Sequence, residues 1–241
     1  MKKIIPSLVI IILILLIVIG LIVWTINSPK YSYDDVANLL LKGIENMDDM
    51  NNVTFEMKNP QIGAKYYYKE NKMKMELMYS SDPDMSLTEH IINLEEGKQY
   101  TISEEKKFIG IQDATSIDKG IQYQVARNLE NRNTPNYPYR YEYRYIRDEI
   151  LDGKDCILVE EIHYKLDGDK YVNENKTNLE KKVYYYWIEK TTGFIIGYNR
   201  VEPNQDTVSA YTIITNMTFG NVKDSDFELS TGDYITYEVD K

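Results

Sequence analysis

The sequence is poor in the residues that usually carry chemistry. Its 241 residues include one cysteine, Cys156, and two histidines, His90 and His163. A single thiol cannot close an intrachain disulfide, so the fold must rest on its apolar core. No Gly-rich phosphate loop, serine nucleophile elbow or His-Glu-x-x-His zinc motif occurs. Basic residues are also in deficit, 28 Lys and Arg against 38 Asp and Glu. Setting aside Lys2 and Lys3 leaves 26 against 38, a balance of −12 for the rest of the chain. That charge repels nucleic-acid phosphates, so nucleic-acid binding is excluded.

Long apolar runs are absent except at the start. From Ile4 through Ile26 there is no charge, and Ile, Leu and Val dominate. As a helix this stretch would span about 34 Å, enough for a hydrocarbon core of roughly 30 Å. Lys2 and Lys3 precede it, which orients the N-terminus to the cytoplasm and the rest of the chain to the outside. The run is longer than the ~7–15 residues of a signal-peptide core, and no Ala-x-Ala site follows Trp24. With no cysteine nearby, a lipoprotein anchor is excluded. The expected organisation is a transmembrane anchor and linker over residues 1–29 and one extracytoplasmic domain over 30–241.

The domain opens on a helix. Ser32 and Asp35 have capping-box spacing, and Val36, Leu39, Leu40, Ile44 and Met47 form one apolar stripe that ends near 49–52. From Val53 the period becomes two. Met73, Met75, Leu77 and Tyr79 alternate with Lys72, Lys74, Glu76 and Met78. Glu96-Gly97-Lys98 reads as a hairpin turn between two strands. Ile117, Ile121, Val125 and Leu129 recur every four residues, predicting a second helix over 116–129. Tyr137, Tyr139, Tyr141, Tyr143 and Tyr145 then alternate with Pro138, Arg140, Glu142 and Arg144, the cleanest strand pattern in the chain. Further strands follow, joined by turns at 152–154 and 190–193. The order is that of an α+β domain: a large curved antiparallel sheet with helices covering its concave face.

Three segments resemble a known family. Asp152-Gly153-Lys154-Asp155-Cys156-Ile157-Leu158-Val159-Glu160 is similar to the turn and strand that follow the central helix in LolA/LolB-type lipoprotein carriers. Tyr186-Trp187-Ile188-Glu189-Lys190-Thr191-Thr192-Gly193-Phe194-Ile195-Ile196 resembles that family's aromatic strand, charged turn and returning strand. Asp226-Phe227-Glu228-Leu229-Ser230-Thr231-Gly232 resembles its closing segment. The resemblance spans roughly 31–234 and implies a half-barrel with an inner helix. In composition and loop length the chain looks most like clostridial relatives of the spore-germination lipoprotein, which, as the resemblance implies, partners a cell-wall amidase instead of carrying lipid. It departs from those relatives in lacking a lipobox cysteine. A tethered half-barrel, unlike the soluble carriers, cannot shuttle across an envelope.

The resemblance implies two roles: binding an envelope protein in envelope or spore-cortex remodelling, or holding a lipid, lipoprotein acyl chain or other amphipathic ligand. For the second, the candidate lining is Met73, Met75, Leu77 and Tyr79 together with Tyr137, Tyr139, Tyr141, Tyr143 and Tyr145. Tyrosine joins a flat apolar body to a polar tip, and methionine adapts its shape. The same residues serve equally as a core beneath the helices. A strand puts Glu161 and His163 on one face and Glu160 on the other, too few ligands for a metal. Asp167-Gly168-Asp169 lacks the later ligands of a calcium loop. Cys156, beside Ile157 and Leu158, reads as buried and inert. The sequons at Asn52, Asn175 and Asn216 read as chance. No catalytic residue, metal or cofactor is expected. The anchor carries its own test: the chain should pellet with membranes, leave them only with detergent, and give an N-terminal peptide that still contains residues 4–26.

Overall fold

Ser32 and Asp35 close the predicted capping box in a computed structural model of the protein. The Asp35 carboxylate accepts from the Ser32 backbone N–H at 2.8 Å, and the Asp35 N–H donates to the Ser32 hydroxyl at 3.2 Å. This reciprocal pair starts helix α1, Tyr33–Met50. The structure describes residues 17–18, 30–50, 52–81, 88–117, 120–131, 139–167, 170–171, 182–201, 210–229 and 232–238. The expected membrane segment lies outside them except for Ile17 and Val18, which are helical. Among the described residues no helix is long and apolar enough to cross a membrane.

Among the described residues, thirteen strands follow in one sheet system: β1 Asn52–Lys58, β2 Ile62–Lys69, β3 Lys72–Ser80, β4 Glu89–Asn93, β5 Lys98–Ser103, β6 Phe108–Asp113, β7 Tyr139–Leu151, β8 Lys154–Asp167, β9 Lys170–Tyr171, β10 Lys182–Glu189, β11 Ile195–Val201, β12 Thr212–Phe219 and β13 Ile235–Glu238. The second helix, α2, is Gly120–Asn131. It starts later than the four-residue spacing predicts, because Ser116 and Ile117 are not helical. The strand order is β13-β6-β5-β4-β3-β2-β1-β12-β11-β10-β8-β7, with β9 paired to β8. The path does not close, so the sheet is an open, curved half-barrel. Its pairs are antiparallel except β13 with β6, which is parallel. Asp152 and Gly153 both have positive φ, 49° and 75°, as a two-residue turn between right-twisting strands requires.

Register assigns the two faces. On the inner face, Phe55 lies beside Tyr66 and Tyr66 beside Met75. Farther along, Tyr186 lies beside Val159, and Val159 beside Tyr145. Helices α1 and α2 cover this second region through Val36, Leu40 and Val125, which pack with Tyr141, Tyr143, Ile157, Val159, Tyr186 and Ile188. On the outer face of β3 to β6, Ile91, Ile102 and Ile109 are buried by Val222 and Phe227 from the C-terminal segment. The sheet therefore packs on both faces, at different places. Asn52 ties the outer cover down, donating to the Val222 carbonyl at 2.9 Å and accepting from its N–H at 2.8 Å.

The helices are fastened by Gln122. Its amide nitrogen lies 3.2 Å from the carbonyls of both Leu40 and Gly193, and its oxygen accepts from Ile195 N–H at 2.8 Å. Here α1 meets the β10–β11 turn backbone to backbone. A Cβ on Gly193, where φ is +76°, would stand 2.1 Å from the Leu39 carbonyl oxygen. Among the described residues, the four apolar clusters draw on residues from 31 onward. Gln122→Met keeps the side-chain volume but strips three buried backbone groups of their partner. It should lower unfolding free energy by about 2–4 kcal/mol, read from the urea midpoint.

Candidate functional site

The inner face is covered only in part. Where α1 and α2 overlie β7, β8 and β10 it is packed, but toward β1 to β4 it opens into a cavity of about 1230 Å³. The N-terminal turn of α2 supplies Gly120, Ile121, Gln122 and Gln124 as one wall. The opposite wall is the sheet, with Phe55 and Met57 from β1, Tyr66 and Tyr68 from β2, Met73 and Met75 from β3, and His90 from β4. Ile214 and Met217 of β12, Tyr198 and Ile195 of β11, Tyr184 of β10 and the adjacent Phe194 complete it. Alternation puts these side chains together, because partners in register share a face. Phe55, Tyr66 and Tyr68 stack across two strands with ring centroids 5.2–6.3 Å apart.

Polar residues gather at one end: Asn59, Asn199, Arg200, Tyr211 and Thr212. Among the described lining residues Arg200 is the one permanently charged side chain, and there is no carboxylate. Burial pushes the His90 imidazole below its ordinary 6.5, so it is neutral at pH 7. Ring nitrogen Nδ1 lies 3.3 Å from the Thr101 hydroxyl.

The residues singled out from the sequence divide between cavity and core. Met73 and Met75 line the cavity. Leu77 is half-buried on the same face but is not among the lining residues. Tyr79 faces the other way. A bulge pairs Ala64 with Leu77 and Gly63 with Tyr79, leaving Met78 as the extra residue. A one-residue slip turns every later side chain over. The Tyr79 ring therefore lies over Gly63, where a Cβ would stand 2.2 Å from it, and its hydroxyl donates to the Asn59 carbonyl at 2.8 Å.

The tyrosine ladder belongs to the packed region. Tyr141 and Tyr143 are buried with Val36 and Leu40, and Tyr33 packs on Tyr143 at 5.8 Å and Tyr31 on Tyr145 at 5.2 Å. Tyr137 and the side chain of Tyr139 lie outside the described residues. A bulge at Ile146 ends the inward run, so that Arg147 pairs with Leu158 and points outward. The signal missed in sequence was the contribution of β1, β2, β11 and β12. Phe55 and Met57 alternate with polar residues over too short a run to stand out, and Tyr66 and Tyr68 sit in an unbroken Tyr66-Tyr67-Tyr68 run that does not show which face they take.

Beneath α2 lies a buried polar group. Glu161 is fully buried, accepting from Asn128 of α2 at 3.0 Å and meeting His163 at 2.5 Å. His163 stacks on Tyr184 at 4.8 Å and meets Tyr141 edge-on at 4.7 Å. Burial first, then the Glu161 charge, holds the Tyr143 and Tyr186 phenols well above 10. Among the described residues no three His, Cys, Asp or Glu side chains cluster as a metal site would need.

No protein-family model matches the chain, and no curated protein matches it. Solved structures do. An uncharacterized conserved protein from Thermus thermophilus overlays with a TM-score of 0.50 at 8% identity, covering 84% of this chain and 99% of its own. The lipoprotein LppX of Mycobacterium tuberculosis overlays at 0.41 and 8% identity, covering 78% and 95%. A LolA superfamily protein from Nitrosomonas europaea overlays at 0.24 and 12% identity, covering 80% and 97%. The fold likeness rests on the Thermus protein.

Cys156 gives a check on the packing outside the cavity. It is fully buried with Leu158 and Trp187, donates to the Lys154 carbonyl at 3.4 Å, and burial pushes its thiol up to about 11. At pH 8 iodoacetamide should leave Cys156 unlabelled in the native protein and label it fully in urea, as read by intact mass.

Proposed function

We propose that this protein is a membrane-anchored, extracytoplasmic binding protein that holds a lipid, an acyl chain or another amphipathic ligand in the concave cavity of its half-barrel. One observation carries this reading: a cavity of about 1230 Å³ walled by aromatic, methionine and isoleucine side chains. That volume exceeds the roughly 300–1,000 Å³ of ordinary small-molecule pockets. Leaving Tyr66, Tyr68, Met75 and Ile121 only half-buried on an open space forgoes burial of about 25 cal/mol per Å² of apolar surface, which a ligand with alkyl chains would restore. The lining favours binding over catalysis, since among its described residues there is no serine, cysteine or carboxylate to partner His90.

The protein-partner reading, in envelope or spore-cortex remodelling, would call for α2 to fill the concave face. Instead α2 walls the cavity without filling it. In this proposal residues 4–26 anchor the chain in the cell membrane with the domain outside, so the half-barrel receives its ligand within a linker's length of the bilayer.

The test is mass spectrometry of organic extracts from the purified 30–241 domain. Lipid or acyl chain should co-purify near one molecule per protein. Met75→Trp, which places a bulky ring in the cavity, should lower the bound amount about tenfold, the equivalent of ~1.4 kcal/mol. A domain that is folded and free of lipid, and that takes up none from vesicles, would end the proposal.

A further inference from the structure

The cavity is uniform in charge where the rest of the chain is not. The protein carries 38 acidic residues and a net charge of −10, yet the described lining holds no carboxylate and one permanent cation, Arg200. Tyr198 pairs with Thr212, and Ile213 with Lys58, so the end of β11, the start of β12 and the end of β1 meet at one end of the groove. Arg200, Tyr211 and Asn59 stand there. Arg200 and Tyr211 are exposed, whereas Met73 and Phe55 are buried in the apolar stretch. The groove is thus graded from a wet, cationic mouth to an uncharged interior.

Arg200 has no hydrogen-bond or ion-pair partner among the described residues. The nearest inner-face acid along its register line is Glu161, reached through Tyr184. Two strand spacings put Glu161 about 10 Å away, near the screening length at physiological salt. Asn128 and His163 engage its Oε1, and its Oε2 is buried beneath α2. The Arg200 side chain is exposed at the end of the groove, and its planar fork matches a carboxylate or phosphate arriving from solvent.

We infer that the ligand is an anionic amphiphile, seated with its alkyl part between α2 and the β1–β3 face and its carboxylate or phosphate on Arg200 at the mouth. This rests on the cavity being the ligand site and adds to it the sign and place of the head group. Long-range repulsion from a chain of charge −10 works against an anion, so selection for one must come from this local contact. A neutral lipid of equal chain length gains the same apolar burial and forgoes the charge-assisted bonds.

The probes are a fluorescent long-chain fatty acid and its methyl ester, titrated at pH 8 into the 30–241 domain after delipidation. The acid should bind about tenfold or more tighter than the ester, in line with charge-assisted hydrogen bonds. Arg200→Gln should bring that ratio close to one, and Arg200→Lys should keep most of it. Arg144→Gln removes an equal charge from the opposite face and should leave the ratio as it was. Urea midpoints for each variant confirm folding. A wild-type ratio near one, or a ratio that survives Arg200→Gln, overturns the anionic assignment while leaving the cavity as a ligand site. If the folded wild-type domain binds neither probe, the cavity reading falls, and the head-group assignment with it. A long-chain alkyl phosphate, run in parallel, separates the two head groups: binding tighter than the acid points to phosphate, the reverse to carboxylate.

Discussion

The placement of α2 at the edge of the cavity turns first on one side chain. Gln122 joins the Leu40 carbonyl in α1, the Gly193 carbonyl in the β10–β11 turn and the Ile195 N–H at the start of β11. It holds α2 at the border between packed and open regions of the inner face. From there α2 can bury Val125 against α1 and β8 while presenting Ile121 and Gln124 to the cavity. Asn128, two turns along, repeats the attachment through Glu161. Polar bonds suit this place because apolar contact alone would draw the helix toward the exposed aromatic surface of β1 and β2. Directional bonds fix its distance.

The coarse architecture was legible in the sequence because one-sided burial forces a period. The Ser32–Asp35 cap, the α1 stripe and the turns at Gly97, Gly153 and Gly193 all follow from local chemistry. What local patterns do not carry is where a strand slips. The alternation of Met73, Met75, Leu77 and Tyr79 is unbroken in sequence, yet the extra residue at Met78 reverses Tyr79. Nor does alternation distinguish a face covered by a helix from one left open. Tyr141 and Met73 sit in equally clean patterns, but α1 lies over the first and a cavity over the second. That difference arises from contacts more than 80 residues apart, such as Gln122 with Leu40. The parallel pairing of β13 was equally hidden, since a short exposed strand carries no burial signal.

The two-faced packing also explains how so long an open sheet stays ordered. A half-barrel without a filled interior loses the core that a closed barrel would have. Here the outer face compensates at both ends. Val222 and Phe227 bury the outside of β4 to β6, and Trp187, Leu158 and Ile196 form a second cluster on the outside of β8, β10 and β11. The curved middle, β1 to β3, is then free to leave its inner surface unfilled.

That separation has an evolutionary consequence. On β3, Met73 and Met75 face the cavity, while Lys74 and Glu76, alternating with them, join an outer ion ladder in which Lys74 meets Glu76 at 2.9 Å and Glu89 at 3.2 Å. At these positions odd residues face the cavity and even residues serve the fold. Substitutions at one set leave the selective pressure on the other almost untouched. Lineages can therefore retune what such a groove accepts while the scaffold persists, and shape can outlast nearly all sequence identity.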